Sequence, residues 1–329
     1  MTARVAPRGH DIRPAPGRPL RAGFTLIELM IVIVIIVMLI ALLVPAIGAA
    51  MRNAREGQVK QEIGQLEYAI ADFKTQFGIN PPSYIDLQLY DPSDYTTPIL
   101  TGTALKPATQ ATLRRLWPNI NMAALITDLQ TNTAKQQELG GSQCLVFFLG
   151  GLVPPPATPD DKPVPVGFSN NPRSPLALGG KRVGPFFEFR ADRLYDADPA
   201  TFNGYEGYLD PLPGQQLPYF YVTSDRYATQ DTYNANTSPQ TPADLVRPVY
   251  RQSASSYFNA QSFQIISPGP DGVTGVNNAA PGSAYGSGGI FDVKKGTLVD
   301  VLPTGHPYDG LAKGDADNIT NFHGGRLVP

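Results

Sequence analysis

Cysteine is almost missing from this chain. Cys144 is the only one in 329 residues, so no disulfide can form within it. That excludes a disulfide framework and a cysteine-rich zinc site. Histidine is nearly as scarce. His10, His306 and His323 stand alone, with no His–Glu spacing that would hold zinc. There is no Gly-x-Ser-x-Gly, no phosphate loop and no dinucleotide fingerprint. No catalytic constellation stands out, and an enzyme is not expected. Asp192, Asp196 and Asp198 form an acidic cluster that reads as solvated loop. Net charge is only −2, and charged residues make up 16% of the chain, so nothing calls for a nucleic-acid partner. Glycine (32) and proline (33), by contrast, are abundant. Much of the chain should therefore be loops and short strands.

What the chain does have is one long apolar run. Residues 24–44 are 21 positions with a single charge, Glu28. As a helix they would cover roughly 30 Å, the thickness of a bilayer's hydrocarbon core. Before them, residues 1–23 carry five arginines against Asp11, a balance of +4, which leaves −6 on the remainder. A basic leader before an apolar span keeps the leader in the cytoplasm and sends the rest outward. The run is too long for a conventional secretory signal, and the small-residue cleavage site is lacking. A plain anchor would gain nothing from Glu28, because a carboxylate in a spanning helix costs a few kcal/mol, of order 3, unless paired or interfacial.

The residues Gly23, Phe24, Thr25, Leu26, Ile27 and Glu28 resemble the start of a type IV prepilin. The resemblance implies cleavage between Gly23 and Phe24 by a prepilin peptidase, then N-methylation of Phe24. It also implies a task for Glu28, which would neutralise the new Phe24 amine of a neighbouring subunit during assembly.

Past Pro45, which reads as a bend rather than an end, helix is expected to continue. Val59, Ile63, Leu66, Ile70, Phe73 and Phe77 are spaced 4, 3, 4, 3 and 4, which makes one apolar stripe. Lys60, Glu62, Gln65, Glu67, Asp72 and Lys74 fall on the other faces. Gly78 and Pro81-Pro82 end the pattern. From Phe24 to Phe77 such a helix would be roughly 80 Å long. The first half is apolar all round and the second is amphipathic, as suits a rod held by lipid or subunits at one end and by its own domain at the other.

Residues 84–208 are less legible. Short helices are expected at 113–117 and 122–126. Residues 142–149, closed by Gly150-Gly151, read as a strand or a buried helix, and a Ser142 cap favours helix. Eight prolines between 153 and 175 suggest an extended surface loop. Residues 186–189 alternate like a strand. Strands are also expected at 217–223, 262–266 and 290–293. Two pieces here resemble the major pseudopilin of type II secretion. One runs from Asp210-Pro211 to Tyr219 and Tyr221, without the family's tryptophan and with two or three residues added. The other is Ser267-Pro268-Gly269-Pro270-Asp271-Gly272.

In that family a loop of the second kind and a later Asp-bearing segment close around Ca²⁺. Carried across by position, the resemblance makes Asp271 and Asp317 side-chain ligands, Pro268 and Val273 backbone donors, and Asp315 a further candidate. Gly/Pro-rich loops present carbonyl oxygens, and calcium takes 6–8 oxygens at about 2.3–2.6 Å. Each half alone also reads as an ordinary Asp-Gly or polar turn, and the spacing from Asp271 to Asp317 is longer than the family's loop.

The expected fold is α+β and pilin-like: a long N-terminal helix packed on a small antiparallel sheet, with a large irregular insertion. The expected segments are a cleaved leader (1–23), a membrane helix (24–44), an amphipathic helix (45–78), a Pro-rich insertion with short helices (79–208), and a sheet with calcium-like C-terminal loops (209–329). The resemblance implies a homo-oligomeric filament in type II secretion, anchored once in a bacterial inner membrane with the C-terminal domain in the periplasm. Its implied partners are minor pseudopilins, an inner-membrane assembly platform, prepilin peptidase and membrane lipid. A surface pilin for adhesion, motility or DNA uptake is the alternative, and lacks its usual C-terminal cysteine pair here. A prepilin-anchored binding or hydrolytic domain is a third reading, and a cleft within 84–208 would favour it.

Overall fold

The computed structural model describes residues 25–158, 161–195, 207–215, 218–227, 250–253, 256–269, 290–292, 297–299 and 318–324. It divides into two compact units, Met1–Arg52 and Asn53–Pro329.

Helix α1 (Leu26–Phe77) runs through Pro45 without ending. It stops where the sequence says it should. Gly78 adopts a φ of 78°, and its N–H donates to the Lys74 carbonyl at 2.7 Å. Only glycine enters that left-handed conformation cheaply, which is why helices so often close on it. In the first unit, the large apolar side chains from Leu26 to Val44 are between 46% and 77% exposed. In the second, the expected stripe turns inward: Val59, Ile63, Leu66, Ile70 and Phe73 are buried, and Phe77 is partly so.

After α1 the chain makes β1 (Ile85–Asp86), α2 (Pro107–Leu116), α3 (Met122–Thr131), β2 (Glu138–Leu139) and α4 (Gly141–Gly150). Both short helices fall where expected, each extended by several residues. Helix α4 is also a helix, but Ser142 is not its cap. Gly140 is the cap residue, and its N–H donates to Gln143 Oε1 at 2.9 Å. Ser142 is the second residue of the helix and is buried. A cap at Gly140 lets α4 start against the sheet. A Cβ on Gly141 would sit 1.9 Å from the Tyr221 carbonyl oxygen, so the helix meets that strand backbone to backbone.

Then come β3 (Phe168–Ser169), β4 (Arg182–Val183), β5 (Leu194–Tyr195), β6 (Gly207–Tyr208), β7 (Phe220–Thr223), β8 (Arg251–Ser253), β9 (Ser256–Tyr257), β10 (Phe263–Ser267), β11 (Ile290–Asp292), β12 (Thr297–Val299) and β13 (Ile319–Thr320). Three of them form an antiparallel sheet in the order β13-β10-β7, with Ile266 opposite Thr320 and Phe263 opposite Thr223. A second sheet runs β12-β11-β8-β9, so β11 does not join β10. The fold is α+β, with a long apolar N-terminal helix and small antiparallel sheets.

Two expectations need correction. Residues 186–189 are not a strand. The Phe186 N–H donates to the Leu149 carbonyl at the end of α4, at 2.7 Å, instead of to a neighbouring strand. The Phe186 ring packs on Phe73 (5.4 Å) and Phe77 (6.0 Å), so the alternation marks a loop that plugs the core. The Pro-rich segment 153–175 is not wholly surface loop either. Pro165, Phe168 and Pro175 are buried, and Phe168 stacks edge-on against Trp117 at 5.1 Å.

One core joins these parts. Phe73 of α1 meets Phe148 of α4 at 5.9 Å, and the cluster continues through Leu145, Tyr219, Tyr221 and Ile265. Burying each such side chain contributes about 1.5–3 kcal/mol. The segment 84–208 thus supplies much of the core around the second half of α1.

Candidate functional site

Three places carry the chemistry. The first is the start of α1. Thr25 stands just before the helix and Glu28 three residues on, the spacing of a capping box. The Glu28 carboxylate accepts from the Thr25 N–H at 2.9 Å and from its hydroxyl at 2.8 Å, while the Glu28 N–H donates to Thr25 Oγ1 at 3.3 Å. Free backbone donors of the first turn are thereby satisfied within the chain. Glu28 is therefore held by its own Thr25. Gly23 and Phe24 lie outside the described residues. Helix α1 is long and apolar enough, by length and composition, to cross a membrane.

The second place is the junction of α1 with the sheet. Glu62 falls off the apolar stripe, yet its side chain is only 12% exposed. It pairs with Arg193, whose guanidinium donates to both carboxylate oxygens at 2.7 and 2.5 Å. The Tyr219 hydroxyl donates to the same carboxylate at 2.8 Å and Tyr208 at 3.3 Å. Arg193 also donates to the Leu209 carbonyl and lies over the Tyr208 ring, 4.3 Å from its centre. Burial works against the Arg193 charge, but the Glu62 carboxylate more than offsets it and raises the pKa. Burial first, and then the Glu62 charge, push the Tyr219 phenol far above its usual range. The sequence missed Arg193, which the acidic-cluster reading left in solvent. Arg190 and Asp192 beside it do form an exposed pair.

Close by, Asp210 ties together the two pieces that resembled the pseudopilin. It is buried, takes a hydrogen bond from Ser267 Oγ, and accepts from the Leu212 N–H at 3.0 Å and Gln215 Nε2 at 3.1 Å. Gln215 Nε2 also reaches the Gly269 carbonyl at 2.5 Å, leaving its own Oε1 buried and without a partner among the described residues. Burial pushes the Asp210 carboxyl up to about 6 despite the donors around it. Of the expected calcium ligands only Pro268 is described, buried between Ser267 and Gly269. Asp271, Val273, Asp315 and Asp317 lie outside the described residues. Among the described residues, no group of three or more His, Cys, Asp or Glu could hold a metal ion.

The C-terminal segment reaches the same region. Asn321 exchanges hydrogen bonds with Ile265, at 3.0 and 3.2 Å, and its side-chain amide donates to Glu67 Oε1 at 3.0 Å. Phe322 stacks flat on Phe258 at 4.5 Å, and Lys60 donates to the Gly324 carbonyl.

The third place is a cleft of about 650 Å³ within 84–208, between α3, α4 and the loops at 151–156 and 173–178. No spacing in the sequence announces it, because its walls come from segments that meet only after folding.

Compared with known proteins, residues 18–44 match the family model described as the prokaryotic N-terminal methylation motif. No curated protein and no solved structure matches the chain. The match covers the end of the leader and the apolar half of α1, the type IV prepilin-like signal. It implies processing by a prepilin peptidase and pilus-like assembly.

Proposed function

We propose that this chain is a structural subunit of a pseudopilus in type II protein secretion. The single observation that carries the reading is the methylation motif at 18–44, continuous with a helix whose apolar first half is exposed on all sides. Such a surface needs lipid or other copies around it, because single scattered apolar residues are normal on a surface but a patch this size is not. Processing would free the Phe24 amine, and the subunit would wait in the inner membrane with residues 53–329 in the periplasm. Burial of residues 24–44 among neighbouring helices would then replace burial in lipid. Glu28 would exchange its Thr25 donors for the Phe24 amine of a neighbour, which fixes axial register.

Two resemblances support secretion over a surface pilus: the segment from Asp210, and the loop from Ser267 that Asp210 holds. Calcium belongs to the same proposal. The buried Gln215 oxygen, without a partner among the described residues, and the Gly269 carbonyl next to Pro268 are oxygen atoms of the kind calcium takes, which supports the reading. The ligands would be Asp271 and Asp317, with Asp315 and the Pro268 and Val273 carbonyls. Bound there, the ion would supply charge that closes the C-terminal loops. If the thermal melt of the full chain is the same with Ca²⁺ and with chelator, calcium is ruled out.

The test of the whole reading is made in cells. The mature protein should begin with N-methylated Phe24 by mass spectrometry, and Gly23→Val should leave the leader attached. Loss of the gene should stop export of folded proteins. Unprocessed wild-type protein beside an active peptidase would overturn the reading. Lost motility or DNA uptake with normal export would move it to a surface pilus.

A further inference from the structure

The cleft within 84–208 is concave, mostly apolar and about 650 Å³ in volume. That lies inside the range of roughly 300–1,000 Å³ that small-molecule sites occupy. Leu125 and Leu129 of α3, Phe147 of α4, Val153, Pro156 and Leu176 form its apolar walls. Leu178 on its rim is 46% exposed.

Three charged residues line the cleft: Asp128, Lys135 and Arg173. Two cancel. Lys135 Nζ sits 2.8 Å from Asp128 Oδ2, and Asn132 donates to the other carboxylate oxygen at 2.8 Å. Arg173 has no counter-ion among the described residues. Its backbone is fixed at the rim. The Arg173 carbonyl accepts from the Asn121 N–H at 2.9 Å, which ties it to the cap of α3, and its own N–H donates to Asn171 Oδ1 at 3.1 Å. The first turn of α3 beside it holds no acidic residue. The cleft therefore offers an apolar body and one uncompensated positive end. An apolar chain ending in one carboxylate matches both halves. The chain leaves water against the leucines, and the carboxylate takes the planar, two-pronged contact that a guanidinium gives best.

We propose that this cleft binds small apolar monocarboxylates, chain inward and carboxylate on Arg173. The site is separate from the filament-forming helix, and the inference does not depend on the pseudopilus reading.

The test uses the full chain in nanodiscs, titrated calorimetrically with octanoate, with the heat taken up by empty nanodiscs subtracted. Saturable binding at one site per chain is expected. Arg173→Gln should weaken it about tenfold, or about 1.4 kcal/mol. Ala124→Trp, at an exposed cleft position, should abolish it by filling the cavity. 1-Octanol should bind about tenfold more weakly than octanoate, and octylammonium more weakly still. Both variants alter exposed side chains, and unchanged melting curves show that they fold. Absence of saturable binding overturns the proposal. So does equal binding of octanol and octanoate, or octanoate binding that survives Ala124→Trp.

Discussion

The two halves of α1 belong to one continuous helix and behave in opposite ways. From Leu26 to Val44 every large apolar side chain is between 46% and 77% exposed among the described residues. From Val59 to Phe73 the stripe residues Val59, Ile63, Leu66, Ile70 and Phe73 are all buried, while Tyr68, off the stripe, is exposed. The difference is the arrangement of polar residues, since the first half has one charge and the second alternates stripe and solvent. A helix that is apolar all round must find its cover outside its own chain, and a striped helix finds it within. One secondary-structure element thus serves two solvents.

The comparison can be broken most severely in the second half. In the full chain in nanodiscs, Phe73→Ala should cost about 3–5 kcal/mol of the stability of residues 53–329, read by chemical denaturation. Ile33→Ala should leave that stability unchanged. If both cost the same, the two halves are not energetically distinct.

Next in size is the buried pair. Glu62→Ala strands the Arg193 charge and should cost on the order of 3 kcal/mol. Replacing both partners, Glu62→Leu with Arg193→Met, should recover most of the loss. A double variant as unstable as the single would mean the carboxylate acts some other way.

Asp210 gives a smaller, pH-dependent effect. Its folded pKa of about 6 lies above the usual 3.8, so the folded state holds the proton more tightly than the unfolded. The contribution is full below pH ~4 and falls away as pH rises through 6, by about 2–3 kcal/mol at most. Subtracting the stability curve of Asp210→Asn from the wild type should show that fall between pH 4 and 6. A flat difference would contradict it.

The smallest effect is at the N-terminal cap. Thr25→Ala removes the hydroxyl that donates to the Glu28 carboxylate and accepts from the Glu28 N–H, and leaves the backbone donor in place. Amide exchange should rise in the first turn of α1 only, with no change in the melting of residues 53–329.

The stripe was legible because a period of 3.6 needs nothing beyond the local sequence. The stop at Gly78 was legible for the same reason, and so were α2 and α3. The polar anchors were not. Glu62 and Arg193 are 131 residues apart, and Asp210 and Ser267 are 57 apart. Nothing near Glu62 distinguishes it from Glu67 or Asp72 on the same helix. The reading of 186–189 as a strand fails because apolar residues beside a polar one mark burial, and a loop packed on α1 buries Phe189, and Phe186 and Phe187 in part, without strand pairing. The cap of α4 falls at Gly140 rather than at a serine, the usual choice, and the next residue, Gly141, is the one that the close contact with β7 requires. At the candidate site, Glu28 was found from its motif, and Asp210 was quoted only as part of a resembling segment.

The three polar anchors on α1 have one more consequence. Glu62 is held by Arg193, Glu67 by Asn321 and Lys60 by the Gly324 carbonyl, from segments 131, 254 and 264 residues away. All three lie within two turns of the rod. A tug along that rod would load them side by side, so they must shear together instead of unzipping in sequence.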